Sequence, residues 1–269
     1  MSTCLVALLP GVRTPERLLQ WCRDSGVTIA LHEVDPAADL PRIENLCGVL
    51  VVGGAVSPYD ERIHTRGLGA LLVTSVGREM PTLGIGGGAH FVAWALGAQP
   101  GIPEPIPVRL RAVTRTAQGR LDPLFSRVPS TARWIEWSDL GLTRLPVGST
   151  VLAVDESGLP QAVRFGPQTW GLQGHPYLDR AALTELLEAG HPLFTPEARA
   201  ALEPDLERMD AVCSSWEPMF SEFLAMVASG SPGRGAAGGT PATGSDPRAP
   251  TPPMCFHRSS HRRRSEGHT

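Results

Sequence analysis

The feature that most constrains the fold of this chain is a regular alternation of short apolar runs with helical patterns. Such an alternation is typical of βαβ units, in which helices cover both faces of a parallel sheet. Helical patterns occupy positions near 67–77 and 89–97. Runs typical of buried strands occupy positions 4–9 (CLVALL), 27–34 (VTIALHEV), 48–52 (GVLVV) and 81–85 (PTLGI). The sequence therefore predicts an α/β fold.

The segment after Pro107 has a different pattern, with shorter strand-like runs separated by turn residues. These runs predict an antiparallel or mixed continuation of the sheet, and they lie at 108–113, 149–154, 161–165 and 170–174. Two helical regions follow, at 179–189 and, in one or two pieces, at 196–227. Thr195 stands where the second region needs an N-cap residue.

Residues 229–269 form a Gly-, Pro- and Arg-rich tail with few large apolar residues, a composition that predicts disorder. The folded domain is accordingly predicted to span residues 1–228. The HRRR run at 261–264 could contact nucleic acid or an acidic partner, but a solvated tail is the favoured interpretation and nucleic-acid binding is not expected.

Cysteine content and hydropathy bear on location and cofactors. The five cysteines are widely spread, with no CxxC pair and no Cys/His cluster at metal-ligand spacing. We therefore expect a reducing compartment, no metal and no cofactor. No apolar run approaches the roughly 20 residues of a membrane span, and no basic residues precede the short apolar run near the N-terminus. The expectation is a cytoplasmic protein without membrane association.

A strand turns sharply into a helix at the sequence GIGGGAH, residues 84–90. Such a junction presents backbone N–H groups and the positive end of a helix above the sheet. The string also fits a G-x-G-x-x-A dinucleotide fingerprint. However, it lies on a later strand, and the region about 20 positions on reads GIPEPIPV rather than the end of a strand. Nucleotide or anion binding by these glycines stays a minor alternative.

Three segments share the order and spacing of motifs in a known family. GVLVVGGAVSPYD (48–60), PTLGIGGGAHFVAWALG (81–97) and QAVRFGPQTWGLQGHP (161–176) resemble the glycine loop, nucleophile elbow and base-carrying segment of class I glutamine amidotransferases. They are most similar to free-standing proteins related to the glutaminase half of GMP synthase. Segments at 122–129 and 136–139 also fall where that family has similar ones. The resemblance implies a three-layer, flavodoxin-like fold with a mostly parallel central sheet.

The family's chemistry assigns a role to each matching position. In these enzymes a cysteine attacks the side-chain amide of glutamine, a histidine moves the proton, a carboxylate orients that histidine, and backbone N–H groups stabilise the oxyanion. By position, the nucleophile falls on Gly86, the base on His175 and the carboxylate on Tyr177. The oxyanion donors fall on the amides of Gly54 and Gly87. By this resemblance, the sequence keeps the base and the oxyanion donors but lacks the nucleophile and the carboxylate.

Further departures surround the same site. His90 replaces the elbow glutamine that helps to hold substrate, and Trp137 replaces a histidine. Gly174 replaces a phenylalanine and is expected to open the pocket further. Tyr177 is expected to fill the space that the carboxylate left. Packing is favoured over ligand contact for His90 and for the three tryptophans Trp134, Trp137 and Trp170.

Two other side chains are candidates for a replacement nucleophile. Ser57 lies in the glycine loop and could approach the site, but it would need His175 within hydrogen-bond reach. Cys47 precedes the strand that ends at Val52, so it is expected at the opposite end of the sheet.

These losses predict a degenerate glutamine amidotransferase-like protein. Removing the nucleophile of such a triad lowers turnover by about 10⁶, so we expect glutamine hydrolysis to be lost. The favoured function is binding of a small molecule at the former glutamine site, or of a protein partner; the sequence does not indicate whether a synthase-type partner exists. An alternative is an enzyme with altered chemistry that uses the oxyanion donors and His175, because histidine ordinarily titrates near neutral pH.

Overall fold

A single mixed sheet with helices on both faces organises the chain. The computed structural model describes residues 2–34, 40–53, 66–98, 106–138, 140–189 and 194–230. The described residues form nine strands: β1 (Thr3–Leu8), β2 (Thr28–Glu33), β3 (Gly48–Gly53), β4 (Thr82–Gly86), β5 (Ile106–Arg115), β6 (Thr131–Ser138), β7 (Thr150–Val154), β8 (Pro160–Gly166) and β9 (Thr169–Leu172).

The helices lie between and after these strands. They are α1 (Glu16–Asp24), α2 (Arg66–Gly77), α3 (Gly87–Ala95), α4 (Ala117–Leu121), α5 (Arg180–Glu188), α6 (Pro196–Leu202), α7 (Met209–Ser214) and α8 (Glu217–Ser229), with 3-10 turns at Ile43–Asn45, Phe125–Arg127 and Glu203–Arg208. In the described parts of the chain, no helix has both the length and the apolar character needed to cross a membrane.

The strand order is β2-β1-β3-β4-β9-β8-β7-β5-β6. The first five strands in that order run parallel to one another, and the remaining pairings, including that of β9 with β8, are antiparallel. The predicted α/β fold and the mixed continuation after Pro107 are therefore confirmed. Because β1, β3, β4 and β9 run in the same direction, their carboxyl ends meet at one edge of the sheet, where ligands bind in open α/β folds.

Both faces of the central parallel strands β1, β3, β4 and β9 are buried, whereas the edge strand β2 is partly exposed. Along β1, Cys4, Val6 and Leu8 enter a core formed with α1 and α8. The alternate residues Leu5 and Ala7 enter a second core formed with α2 and α3. This arrangement explains the nearly continuous apolar runs of these strands, since neither face meets solvent. It also produces the helix–sheet–helix layering expected from the resemblance.

Some elements differ from the sequence prediction. Strand β6 and the short helix α4 were not predicted. The helical region at 196–227 is divided into α6, a 3-10 turn, α7 and α8, because Pro204 and Pro218 each begin a new piece. Thr195 does cap α6, accepting a hydrogen bond from the Ala198 N–H at 3.2 Å. The predicted disordered tail lies outside the described residues from 231 onward.

The turn from β4 into α3 brings the helix backbone directly against the sheet. A Cβ on Gly88 would overlap the carbonyl group of Val51 in β3, and a Cβ on Gly84 would lie 2.6 Å from the Cα of Ala89. Any side chain at these positions would push α3 off the sheet. The close contact fixes the start of α3 beside the carboxyl ends of β3 and β4.

This contact predicts a large difference between two glycine-to-alanine substitutions. Gly88→Ala is expected to lower the free energy of unfolding by about 3 kcal/mol, because a central strand cannot move to relieve the overlap. Gly77→Ala, at the end of α2 with open space around the added methyl, is expected to stabilise by up to about 1 kcal/mol. Urea unfolding of both variants tests this, and equal stabilities would contradict the proposed contact.

Candidate functional site

Gly86 lies at the point where β4 ends and α3 begins. Its backbone has φ +57° and ψ −127°, a region that glycine adopts far more readily than residues with a side chain. A Cβ on Gly86 would lie 2.5 Å from Nε2 of His175, closer still to Cε1, and against the carbonyl oxygen of Gly53. The imidazole of His175 thus occupies the space that a side chain at position 86 would need.

His175 is held by β6 through both its backbone and its ring. It follows β9 by three residues, and its N–H donates to the Ile135 carbonyl at 2.7 Å. The imidazole stacks on the indole of Trp137, with the ring centroids 3.7 Å apart and the planes 15° from parallel. Ile135 and Trp137 are two residues apart on the strand and therefore share a face. Strand β6 thus fixes both the position of the backbone at His175 and the plane of its imidazole.

The two nitrogens of His175 have different surroundings. Nδ1 lies 3.3 Å from the hydroxyl oxygen of Tyr177, as donor or acceptor according to the tautomer. Nε2 is buried without a hydrogen-bond partner among the described residues. Burial lowers the pKa of His175 to about 3 and raises the pKa of the Tyr177 phenol well above its ordinary value. Both side chains are therefore neutral at pH 7.

A second buried histidine lies on the first turn of α3. His90 is four residues after Gly86, and its Nε2 also lacks a partner within the described part of the chain. Burial lowers the pKa of His90 to about 4, against an opposing effect of a hydrogen bond with Gln173. The Gln173 amide also donates to the Leu140 carbonyl at 2.9 Å and accepts from the Leu142 N–H at 3.2 Å. His90 thus packs as a neutral ring beside a well-bonded amide.

An open cleft of about 400 Å³ lies beside the rings of His175 and Tyr177, at the same edge of the sheet. One wall is the loop Pro10–Pro15 between β1 and α1, and the other is the face of α5 that carries Ala182 and Leu186. Trp137, His175, Tyr177, Leu178 and Phe194 complete it. We call it the loop–α5 cleft. Volumes of this size with apolar and aromatic walls are typical of small-molecule sites.

Two ion pairs cross the rim of the loop–α5 cleft. Arg13 Nη2 lies 3.4 Å from Glu185 Oε2, and both side chains are more than half exposed. Arg17 Nε lies 3.3 Å from Asp179 Oδ2, while the other oxygen of Asp179 caps α5 by accepting from the Ala182 N–H at 2.9 Å. These pairs connect the loop wall to the α5 wall.

Comparisons with known proteins give a match in structure but not in sequence. No protein-family model matches the chain, and no curated protein matches it significantly. Solved structures do match. A glutamine amidotransferase from Methylobacillus flagellatus is 16% identical, with a TM-score of 0.71 over 89% of this chain and 99% of its own. A glutamine amidotransferase from Thermotoga maritima is 19% identical, with a TM-score of 0.68 over 83% and 99%.

A third match is a protein from Thermoplasma acidophilum that is assigned as one component of a GMP synthase. It is 18% identical, with a TM-score of 0.58 over 85% of this chain and 96% of its own. This chain has the class I glutamine amidotransferase fold. The likeness extends over nearly the full length of each neighbour.

Several residues assigned by analogy with amidotransferases come together at the carboxyl edge. Gly86 ends β4, Gly87 begins α3, and His175 and Tyr177 follow β9, with the His175 ring against both Gly86 and Tyr177. Gly54 and Ser57, predicted to supply an oxyanion donor and a loop hydroxyl, lie outside the described residues. Cys47 lies at the opposite edge as predicted, because it precedes the start of β3, whereas Gly53 at the other end of that strand pairs with Gly86.

One sequence expectation for the amidotransferase pocket is wrong. Gly174 does not open the site, because a Cβ there would overlap the indole of Trp134. That indole is fully buried and stacks on Trp216, with ring centroids 4.9 Å apart. Packing is confirmed for Trp134 and also for Trp170, whose Nε1 donates to the buried Asp122 carboxylate at 3.2 Å.

Besides Trp137, His175 and Tyr177, the residues that line the loop–α5 cleft were not singled out from the sequence. Arg13 and Arg17 follow the first parallel strand, and loops after such strands usually line the ligand crevice of α/β folds. That signal was available in the sequence. Phe194 gave no comparable signal, since only the folded chain brings it against Trp137, at a centroid distance of 5.4 Å.

The two buried histidines predict a pH dependence of stability. Their pKa values of about 3 and about 4 in the folded state lie below the ordinary value of 6.5, so below pH 6.5 unfolding takes up protons. The contribution of the two neutral histidines to the free energy of unfolding is therefore fully present above pH 6.5. It falls toward pH 4, by up to about 1.4 kcal/mol per pH unit for each histidine.

Urea unfolding between pH 7 and 4 measures this slope. His175→Phe, which keeps a ring against Trp137, is expected to reduce the slope by up to about 1.4 kcal/mol per pH unit, the contribution of one proton. Val163→Ala is the control, because it weakens the α2–α3 core but keeps both histidines. An unchanged slope in His175→Phe would show that His175 is not held neutral by burial.

Proposed function

We propose that this protein does not hydrolyse glutamine and acts by binding a ligand at the carboxyl edge of its sheet. The observation that carries the proposal is the position of the His175 ring in the space that a nucleophile side chain on Gly86 would fill. Because Gly86 has no side chain, it cannot form the thioester through which the amidotransferase reaction proceeds.

The state of His175 also supports the loss of catalysis. A general base works best when its pKa lies near the working pH, whereas burial lowers the pKa of His175 to about 3. The Tyr177 hydroxyl is within reach of Nδ1, but a neutral phenol offers none of the negative charge with which a carboxylate stabilises the imidazolium. The alternative of altered chemistry through His175 and the oxyanion donors therefore has less support than binding.

The loop–α5 cleft supports the proposal of a binding function. It shares His175 and Tyr177 with the former catalytic centre, and it lies where open α/β sheets bind their ligands. A small molecule is the occupant that its volume and apolar walls favour. A protein partner that contacts the same edge is the other occupant compatible with the resemblance.

Ammonia release from glutamine tests the loss of hydrolysis. We expect the wild-type protein and His175→Ala to release ammonia at the same background rate, beside an active amidotransferase assayed in parallel. Faster release by the wild type than by His175→Ala would overturn the proposal.

Restoring the cysteine alone is not expected to restore the enzyme. Gly86→Cys places a side chain against His175 in a backbone conformation that costs about 1 to 3 kcal/mol for a non-glycine residue. Absence of an orienting carboxylate lowers turnover by about 10⁴ in a comparable triad. We therefore predict that Gly86→Cys is less stable than the wild type. Its glutaminase turnover is expected to be at least about 10⁴ lower than that of an active amidotransferase.

Gly77→Cys is the matched control, since it adds a thiol where the structure has open space. It should retain wild-type stability and release no ammonia. Substantial glutaminase activity in Gly86→Cys would show that His175 moves aside easily and that Tyr177 can replace the carboxylate.

A further inference from the structure

We propose that the loop–α5 cleft binds a small molecule with a flat aromatic body and one anionic group, such as a carboxylate, sulfonate or phosphate. This inference rests on the proposed binding function and specifies the chemistry of the ligand. It follows from the different properties of the floor and the rim of the cleft.

The floor of the loop–α5 cleft suits a flat apolar body. Trp137 and Phe194 meet there edge to face, at 66° between their planes, and Leu178 and Leu186 add aliphatic surface. Aromatic surfaces gain from offset or edge-to-face contact with another ring, beyond the area that is buried. A rigid planar molecule also loses little conformational freedom on binding.

The rim of the cleft carries charge of both signs, with its two arginines on the loop and α1 side. Arg13 and Arg17 line that side together with Glu16 and the N-terminus of α1, while Glu185 lies on the α5 wall. Pro15 occupies the N-cap position of α1 and supplies no side-chain cap, and the Glu16 amide donates to the Thr14 carbonyl at 3.0 Å, so the positive end of the α1 dipole adds to the potential on this side. Glu16 in the same turn lies 3.8 Å from Arg23, further along the helix.

The existing ion pairs do not oppose an anionic ligand strongly. Arg13 and Glu185 are 54% and 62% exposed, and pairs as exposed as this contribute little to stability. Arg17 shares Asp179 with the N-terminus of α5, so this carboxylate keeps a partner if Arg17 turns to a ligand. Guanidinium groups bind carboxylate, sulfonate and phosphate oxygens in paired geometry.

The floor also includes the ring of His175. This ring is fully buried and lines the loop–α5 cleft, and its Nε2, which has no partner among the described residues, lies toward Gly86. A ring that settles against Trp137 and Tyr177 would close this edge of the site from water. The anionic group would then lie at the rim, where the two arginines and the α1 amides meet.

Two fluorescent probes with the same ring system test the proposal on the full chain. The first is 8-anilinonaphthalene-1-sulfonate, and the second is N-phenyl-1-naphthylamine, which lacks the sulfonate. We expect saturable one-to-one binding of the sulfonate probe, about tenfold tighter than the neutral probe if the rim recognises its charge. Equal affinities, or no saturable binding, would overturn the proposal.

Matched variants locate the probe. Arg13→Gln combined with Arg17→Gln should remove the preference for the sulfonate and leave the neutral probe unchanged, whereas Arg120→Gln on α4 should change neither. Ala182→Trp should block both probes by filling the cleft, while Ala201→Trp on the exposed side of α6 should not. Sulfonate binding that survives Ala182→Trp in a folded variant would place the probe elsewhere and overturn the proposal.

The probe-binding experiments and the hydrolysis test can fail independently of each other. Ammonia release from glutamine would contradict the proposed function without changing where the probes bind. Failure of the sulfonate probe to bind, with glutamine hydrolysis still absent, would overturn the ligand class alone.

Discussion

Direct backbone contact between the first turn of α3 and the strands β3 and β4 determines the geometry of this molecule's carboxyl edge. The contact exists only because Gly53, Gly84 and Gly88 have no side chains: a Cβ on any of them would meet backbone atoms of the opposing element. Interiors packed to this density transmit small displacements rather than absorb them. The position of Gly86, and with it the space available to His175, is set by this one contact.

The packing of His175 follows from that geometry and from the chemistry of a neutral imidazole. Stacking of aromatic rings contributes about 0.5 to 1.5 kcal/mol beyond the area buried, whereas a buried nitrogen without a partner costs about 1 to 3 kcal/mol. A charged ring would be far less favourable at this depth, which is why burial lowers the pKa of His175 to about 3. The ring is therefore stable here as a packing group, in the state least suited to moving protons.

The sequence predicted those parts of the structure that depend on local pattern. Strands β1, β3 and β4 were predicted because both of their faces are apolar, and the resemblance to amidotransferases implied that His175 lies beside Gly86. Strand β6 was missed because buried charge interrupts its pattern. Glu136 is 1% exposed, and it is held by Arg111 at 2.8 Å and Arg109 at 3.2 Å from the neighbouring β5.

The errors at the site share this non-local origin. The prediction for Gly174 considered only the ring lost from that position, but Trp134 from another strand fills the space. The stack of Trp137 on His175 depends on the pairing of the segment after β9 with Ile135, and no local motif encodes that pairing. Contacts between segments distant in sequence therefore decided both of these points.

The same ring lies between two parts of the carboxyl edge. On one side, the imidazole fills the space beside Gly86, and on another it forms part of the loop–α5 cleft. An amidotransferase needs an imidazole that gains and loses a proton near neutral pH, whereas a binding cleft needs a floor of fixed shape. Stacking on Trp137 and contact with Tyr177 fix the ring in place, and burial keeps it neutral. These properties suit the proposed binding function better than proton transfer.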